Sequence, residues 1–200
     1  MAQVKLTKNE LKNQKDQLKR FERYLPTLQL KKQQLQMVIR QVEAQKRDVD
    51  RRRSSIADDL NDWVSVFSDD IRLDTLLTVE RFVTDSGNIA GIDIPVFVEL
   101  EFNVSDYDLY VYPLWVDRGI DALKKILTCD AELRVLDRQL EILGEELRIT
   151  SQRVNLFEKV KIPETRNNIR TIRIYLGDQQ TAEVVRGKIS KNKITRGASE

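Results

Sequence analysis

The sequence predicts a mainly α-helical fold: a long antiparallel two-helix coiled coil with a small middle region that contains a β-hairpin. Three observations predict this fold. Apolar residues recur every seven positions in two tracts, residues 4–67 and about 118–190. Between the tracts, apolar and polar residues alternate as in a half-buried strand. Asp, Glu, Lys and Arg make up 33% of the 200 residues, while glycine and proline occur only 7 and 4 times, a composition that suits elongated helices.

The first tract keeps one heptad phase over its whole length. The positions that would face a partner helix, called the seam here, form two rows. One row is Val4, Leu11, Leu18, Leu25, Lys32, Ile39, Lys46, Arg53, Leu60 and Phe67. The other row is Thr7, Gln14, Phe21, Leu28, Leu35, Val42, Val49, Ile56 and Trp63. A straight helix would drift by about 20° per heptad, so the strict repeat predicts a left-handed supercoil with a partner helix. Pro26 removes a helical hydrogen bond, and we expect a bend there.

Three basic residues, Lys32, Lys46 and Arg53, take seam positions where apolar side chains are expected. Their stems could lie along the seam while their charges reach water. Alternatively, they mark levels where the register of the two helices is specified or where a third protein docks. The pattern favours the first interpretation and leaves the second open.

The second tract carries a matching seam that changes phase once. Its rows are Ile126, Leu133, Leu140, Leu147 and Val154, and Cys129, Leu136, Leu143 and Phe157, followed after a one-residue slip by Ile162, Ile169, Ile172 and Leu176. Pro163 lies at the slip. Because the two tracts are similar in length, we expect them to pair within one molecule, with residue 4 near 186 and Pro26 almost level with Pro163.

The middle region predicts short strands. Residues 92–104 alternate between apolar and polar side chains, and Tyr107, Leu109 and Val111 alternate again after a turn-like segment. These two segments predict a β-hairpin that caps the closed end of the helix pair. Residues 77–84 are either a third strand or a short helix. The predicted organisation is a helix over 1–68, a middle region over 69–117, a second helix over 118–190 and a flexible basic tail over 191–200.

Composition argues against most kinds of catalytic site. The chain has no histidine and one cysteine, Cys129. Its glycines form neither of two common phosphate-binding motifs, GxxxxGK(S/T) and GxGxxG. We therefore expect no catalytic residue, cofactor or metal. The basic residues lack the exposed aromatics of a nucleic-acid interface, and no apolar run reaches the roughly 20 residues of a membrane span. We expect a cytosolic chain.

Charge is distributed unevenly along the chain. Residues 1–53 hold 15 basic and 6 acidic side chains, residues 54–117 hold 2 and 14, and residues 154–200 hold 10 and 5. If the chain folds back on itself, one tip is basic and the other acidic, an arrangement that could orient it against partners.

Three segments resemble a known family. The run from Arg153 to Pro163 (Arg153, Val154, Asn155, Glu158, Ile162 and Pro163) is similar to a stretch of the D subunit of the V-type (vacuolar and archaeal-type) ATPases. Gly91 to Pro95 resembles the middle region of the same family. The segment from Tyr24 to Leu28 is similar to its bacterial branch.

The resemblance implies a central rotor shaft without catalytic activity. It implies that the paired terminal helices enter a ring of catalytic (A) and non-catalytic (B) nucleotide-binding subunits. The far end would meet the socket of the membrane rotor and a smaller companion called the F subunit, within a peripheral complex that moves protons or sodium ions. In that arrangement the candidate ring contacts are Lys5, Lys8, Lys12, Lys188, Lys191 and Lys193. The alternative function is a cytosolic coiled-coil adaptor or chaperone-like binding protein.

Overall fold

The computed structural model describes residues 4–197, apart from 62–75, 109, 111 and 114. The described elements are helix α1 (Lys8–Asn61), strands β1 (Leu77–Ile89) and β2 (Ile92–Val104), helix α2 (Val116–Asn155), a π-helical segment (Leu156–Lys161) and helix α3 (Ile162–Gly197). The predicted fold class is confirmed. The chain divides into two compact units, residues 32–149 and residues 1–31 with 150–200, which are described in turn.

In the unit of residues 32–149, α1 and α2 pack antiparallel around one apolar core. Lys46 contacts Asp137, whereas Arg53, further along α1, contacts Asp130, earlier in α2. The core consists of Leu35, Val42, Val49, Ile94, Cys129, Leu136 and Leu143. Six of these seven are seam residues of the two helices, and the seventh, Ile94, comes from β2. Leu35 and Leu143 are fully buried at 0% exposure.

The β-hairpin joins segments other than those expected. Strand β2 pairs with β1, from Leu77 opposite Val104 to Ile89 opposite Ile92. The predicted pairing of residues 92–104 with 107–111 is therefore wrong: Tyr107 lies outside any strand, and residues 109 and 111 lie outside the described part. The third strand considered over 77–84 is present and longer, which excludes the short helix.

The turn and two bulges explain why this pairing is hard to predict. Ala90 and Gly91 both have positive φ, 55° and 79°, which is the geometry of a two-residue hairpin turn whose twist matches that of the strands. Glycine adopts a positive φ without strain, as at Gly91, whereas the side chain of Ala90 makes the same conformation less favourable in free energy. Register shifts between Val79 and Arg81 and between Val83 and Thr84 interrupt the alternation of β1.

The hairpin lies alongside α2 instead of capping the end of the helix pair. At its base, Leu77 packs with Val116 and Ile120 near the start of α2. Further along, the Gln139 side chain donates a 2.5 Å hydrogen bond from Nε2 to the Pro95 carbonyl oxygen. Ile92, next to the turn, shares a surface cavity with Ile142. The hairpin thus follows α2 over about six helical turns.

In the unit of residues 1–31 and 150–200, α1 pairs antiparallel with the end of α2, the π-helical segment and α3. Thr7 caps α1 by accepting a 3.2 Å hydrogen bond from the Glu10 N–H. The Phe21 and Phe157 rings lie 5.3 Å apart between centroids, and Gln14 accepts a 3.5 Å hydrogen bond from Asn168. These two contacts lie about two or more helical turns from the expected register, whereas the 2.8 Å pair of Glu22 with Arg166 lies within two residues of it.

The π-helical segment produces the phase slip that the sequence predicts. The Ile162 N–H donates to the Phe157 carbonyl oxygen, a bond to the fifth residue back, so one extra residue fits into the turn. Before it, Val154 is 4% exposed; after it, Ile162 and Ile169 are each 7% exposed. The wider turn therefore keeps both halves of the helix facing α1.

Helix α3 continues to Gly197, beyond residue 190 where the sequence placed the start of a tail. Helix α1 likewise continues through Pro26 without a break. None of the described helices contains a stretch that is both apolar and long enough to span a lipid bilayer.

Candidate interaction surfaces of the helix pair

Two of the three basic residues in the seam form ion pairs across the helices. Lys46 Nζ lies 2.6 Å from Asp137 Oδ1, and Arg53 Nε lies 2.5 Å from Asp130 Oδ1. Neighbouring Arg52 adds a third pair, at 3.0 Å from Glu132. All six side chains are partly exposed, so each pair contributes little to stability, about 0–1 kcal/mol. Their positions favour one axial register of the two helices, which was the second interpretation of these residues.

Most of the other predicted seam residues in the described part are buried or half-buried, whereas Thr7 is exposed and caps the start of α1. Those buried are Leu35, Val42, Val49, Cys129, Leu136, Leu143, Val154, Ile162, Ile169 and Ile172. Those half-buried are Val4, Leu11, Leu18, Phe21, Leu25, Leu28, Ile39, Ile56, Leu60, Ile126, Leu133, Leu140, Leu147, Phe157 and Leu176. Phe67 and Trp63 lie outside the described residues.

The residues that carry the family resemblance surround two irregular places in the backbone. Val154 and Ile162 are buried on either side of the π-helical segment, and Arg153, Asn155, Glu158 and Pro163 are exposed around it. Gly91 forms the hairpin turn, and the carbonyl of Pro95 is held by Gln139. Each motif thus coincides with a departure from regular helix or strand geometry.

The candidate ring contacts fall into two exposed sets that are not side by side. Lys5 precedes α1, and Lys8 and Lys12 lie in its first turns. Further along α1, Lys15 and Lys19 share one cavity with Arg170 and Arg173, so α3 passes the start of α1 near residue 180. Lys188, Lys191 and Lys193 therefore lie on a part of α3 that extends past the first residue of α1.

A basic groove lies between α1 and α3 in this unit and has a volume of about 700 Å³. Its basic side chains are Lys15, Lys19, Arg166, Arg170 and Arg173. Leu18, Ile169 and Ile174 supply its apolar surface. Glu22 is the one carboxylate that lines it, and its Oε1 lies 2.8 Å from Arg166. The heptad pattern alone does not reveal this groove, because its cations come from two distant segments and alternate with seam residues.

The pKa values of Tyr107 and Cys129 are raised for structural reasons. The Tyr107 hydroxyl donates a short hydrogen bond to Asp117, which, together with partial burial and the nearby negative charge, raises the pKa of Tyr107 above 10.0. Burial of Cys129, which is 6% exposed, raises the pKa of its thiol above 9.0. A thiol held neutral in the core is a poor nucleophile, so Cys129 is a packing residue.

Among the described residues, no three or more His, Cys, Asp or Glu side chains group closely enough to hold a metal ion. The described part of the molecule offers helix faces, a hairpin and shallow grooves.

Comparison with known proteins agrees with the motifs. The family model that describes the D subunit of ATP synthases matches residues 10–192. The chain belongs to this family of ATP synthase D subunits. The match includes both helical tracts and the hairpin, so membership covers the whole architecture described above.

Three curated relatives cover nearly the full chain. The V-type ATP synthase D subunit of Borreliella burgdorferi is 49% identical over 196 residues, which are 98% of this chain and 97% of the relative. The protein of the same name from Chlamydia pneumoniae is 34% identical over 196 residues, with 96% and 94% covered. That from Chlamydia abortus is 32% identical over 202 residues, with 100% and 97% covered.

The residues that attach the hairpin to the helices are not apparent from the sequence pattern. Gln139 is 7% exposed and Ile94 is 3% exposed, and together they hold β2 against the helices. Gln139 lies beside a seam position and looks like a solvent-facing residue in the heptad pattern. The one available signal was the alternation of β2, which predicts that the face containing Ile94 packs against another apolar surface.

Proposed function

We propose that this chain is the central stalk subunit of a V-type ATPase or ATP synthase, a rotor shaft that carries torque between a nucleotide-binding ring and a membrane ion-translocating rotor. The full-length match to proteins named as D subunits of V-type ATP synthases is the single observation that carries the proposal. In this assignment the chain has no active site, and nucleotide is bound by the A and B subunits of the ring.

The helix pair has physical properties that suit a shaft. A supercoiled pair of helices resists twisting, and ion pairs such as Lys46 with Asp137 oppose sliding of one helix past the other. A shaft must also be asymmetric, so that similar sites around it meet different faces as it turns. The π-helical segment and the hairpin, which lies against one side of α2, both break the symmetry of the pair.

The proposed partners follow from the family resemblance. They are the A and B subunits of the ring, the companion F subunit of the rotor and the socket of the membrane rotor, in a complex peripheral to the membrane on its cytoplasmic side. The six lysines of the two terminal sets are proposed to face the ring, where long, well-solvated side chains contact acidic walls without a deep apolar interlock.

Reconstitution tests the proposal. The purified chain should be a monomeric helical protein without ATP hydrolysis, and adding it to an A and B ring should produce rotation-coupled ATPase activity. A variant with Leu143→Asp provides the matched control, because a charge in the core should abolish the helix pair without altering any exposed residue. A chain that hydrolyses ATP alone, or that never associates with the ring, contradicts the proposal.

The adaptor alternative is less well supported. A coiled-coil adaptor accounts for the helix pair, but not for similarity to a V-type ATP synthase D subunit along 98% of the chain. A parallel homodimer in cross-linking would favour the adaptor class and contradict the intrachain pairing of α1 and α2.

A further inference from the structure

The basic groove concentrates positive charge far beyond the average of the chain. The whole protein carries a formal net charge of +2, yet five cations and one carboxylate line this one groove. Glu22 is already paired with Arg166, at 2.8 Å. Lys15, Lys19, Arg170 and Arg173 have no described carboxylate as an ion-pair partner. Like charges brought together on a helix pair repel one another, so the groove weakens the isolated chain and favours an anionic occupant.

The apolar surface of the groove restricts which kinds of molecule can fill it. Ile169 is 7% exposed and Leu18 is half-buried, and together they form an apolar strip between the cations. Ile174, at one end, is 57% exposed. A small anion would satisfy the cations but leave the exposed parts of Leu18 and Ile174 in water. An occupant with both carboxylates and an apolar side chain satisfies both surfaces.

The dimensions of the groove also fit a protein segment. On α1 the groove runs from Lys15 to Glu22, which is about two helical turns or roughly 10 Å. Its volume of about 700 Å³ accommodates several side chains at once. One turn of a helix or a short loop fills such a space.

We propose that the basic groove of α1 and α3 binds an acidic segment of the nucleotide-binding ring, with an apolar side chain against Leu18 and Ile169 and carboxylates against the surrounding lysines and arginines. This inference rests on the proposed function for the identity of the partner. It adds a contact separate from the two terminal lysine sets. Exposed charge pairs form quickly and dissociate readily, so they hold a partner without locking it, as a turning shaft requires.

Charge reversal in the full-length chain tests the groove. The test variant is Lys19→Glu with Arg173→Glu, one substitution on each side of the groove. The matched control is Arg23→Glu with Lys159→Glu, which makes the same change in net charge at two exposed residues of the same compact unit outside the groove. Circular dichroism checks that both are folded, and the neutral pair Lys19→Gln with Arg173→Gln replaces the test variant if it is not.

The readout is the rate of association with a purified A and B ring as ionic strength increases. Wild type should associate at a rate that falls steeply with salt. The groove variant should associate about tenfold more slowly at low salt and lose most of the salt dependence, while the control should change by less than about threefold. Equal rates for the groove variant and the control overturn the inference and leave the proposed function intact. A wild-type chain that never binds the ring overturns both.

Two further arms identify the occupant. Carbodiimide joins amines to adjacent carboxylates directly, so mass spectrometry of the treated complex should find Lys15 or Lys19 linked to Asp or Glu of a ring subunit. Links that avoid both lysines contradict the proposal.

In the absence of the ring, inorganic phosphate at low millimolar concentration should leave the melting temperature of the wild type unchanged. If it stabilises the wild type but not the groove variant, the groove is a small-anion site and the proposal is wrong.

Discussion

Deleting one residue from the π-helical segment should turn it into an ordinary α-helix without disturbing the seam. In the present structure the segment absorbs one extra residue, and Ile162, Ile169 and Ile172 lie on the paired face because of it. Removing the exposed Lys159 shortens the spacing between Phe157 and Ile162 by one residue, to the spacing that a continuous α-helix needs to keep both on the seam. The buried isoleucines should therefore stay buried.

The cost of this deletion should come from Pro163. In an α-helix its ring would meet the carbonyl four residues back, at a cost of about 3 kcal/mol in a helix interior. We expect the deletion of Lys159 alone to lower the free energy of unfolding by up to about 3 kcal/mol. Combined with Pro163→Ala, the deletion should change that free energy by less than about 1 kcal/mol relative to Pro163→Ala alone.

The control is deletion of the exposed Asn167 in α3, which turns Ile169 and Ile172 by about 100° away from the seam. Burial of each isoleucine contributes about 1.5–3 kcal/mol, so this deletion should cost about 3–6 kcal/mol. If the π-helical segment became an α-helix in this variant, Ile169 and Ile172 would return to the seam. Ile162 would then turn away from the seam, so the variant would still lose a buried isoleucine. Urea unfolding followed by circular dichroism measures all variants. If the deletion of Lys159 with Pro163→Ala is as unstable as the deletion of Asn167, the explanation of the segment as a phase correction is refuted.

Four further predictions concern residues 32–149. Leu143→Ala, at 0% exposure, should lower the free energy of unfolding by about 2–5 kcal/mol in urea titrations, and a loss below about 1 kcal/mol would contradict its place in the core. Gln139→Leu should leave a β2 carbonyl unsatisfied at about 1–3 kcal/mol, seen as faster hydrogen exchange in the hairpin with unchanged exchange in the helices. Cys129 should react with a thiol reagent at least about tenfold more slowly in the native chain than in urea, since its thiol is buried and its pKa raised; equal rates would contradict burial. Tyr107 should ionise at higher pH than in the unfolded chain, so the stability it contributes is complete below pH 10.0 and is lost as pH rises through its raised pKa; Asp117→Asn should lower that pKa in an NMR titration, and no change would contradict the hydrogen bond.

The helices and the phase slip could be predicted from the sequence because both follow from the spacing of apolar residues along the chain. The spacing from Phe157 to Ile162 exceeds the heptad rule by one residue, and a helix has few ways to absorb one residue other than a π-helical turn. The family motif ending at Pro163 marks the same place.

The axial register and the hairpin partner depend on contacts that periodicity does not contain. Any heptad seam is compatible with sliding by seven residues, and the choice among such registers rests partly on pairs such as Arg53 with Asp130. The hairpin was misassigned because Asp85 to Asn88 looks like a turn but lies within β1, and because the turn itself places Ala90 at positive φ. The groove was not predicted because its cations, such as Lys19 and Arg170, come from two distant segments that the heptad pattern does not group together.

The last turns of α3 have a consequence for local order. Val184, Ile189 and Ile194 are 72%, 51% and 69% exposed, on a stretch of helix that extends past the start of α1. An isolated helix of this length is only marginally stable in water, so these turns depend on whatever partner covers their apolar side chains. Amide exchange in the free chain should therefore be slowest around Ile172 and increase steadily toward Gly197. A partner that docks there would order these turns as it binds, so part of its interaction free energy would offset the conformational entropy that the chain loses.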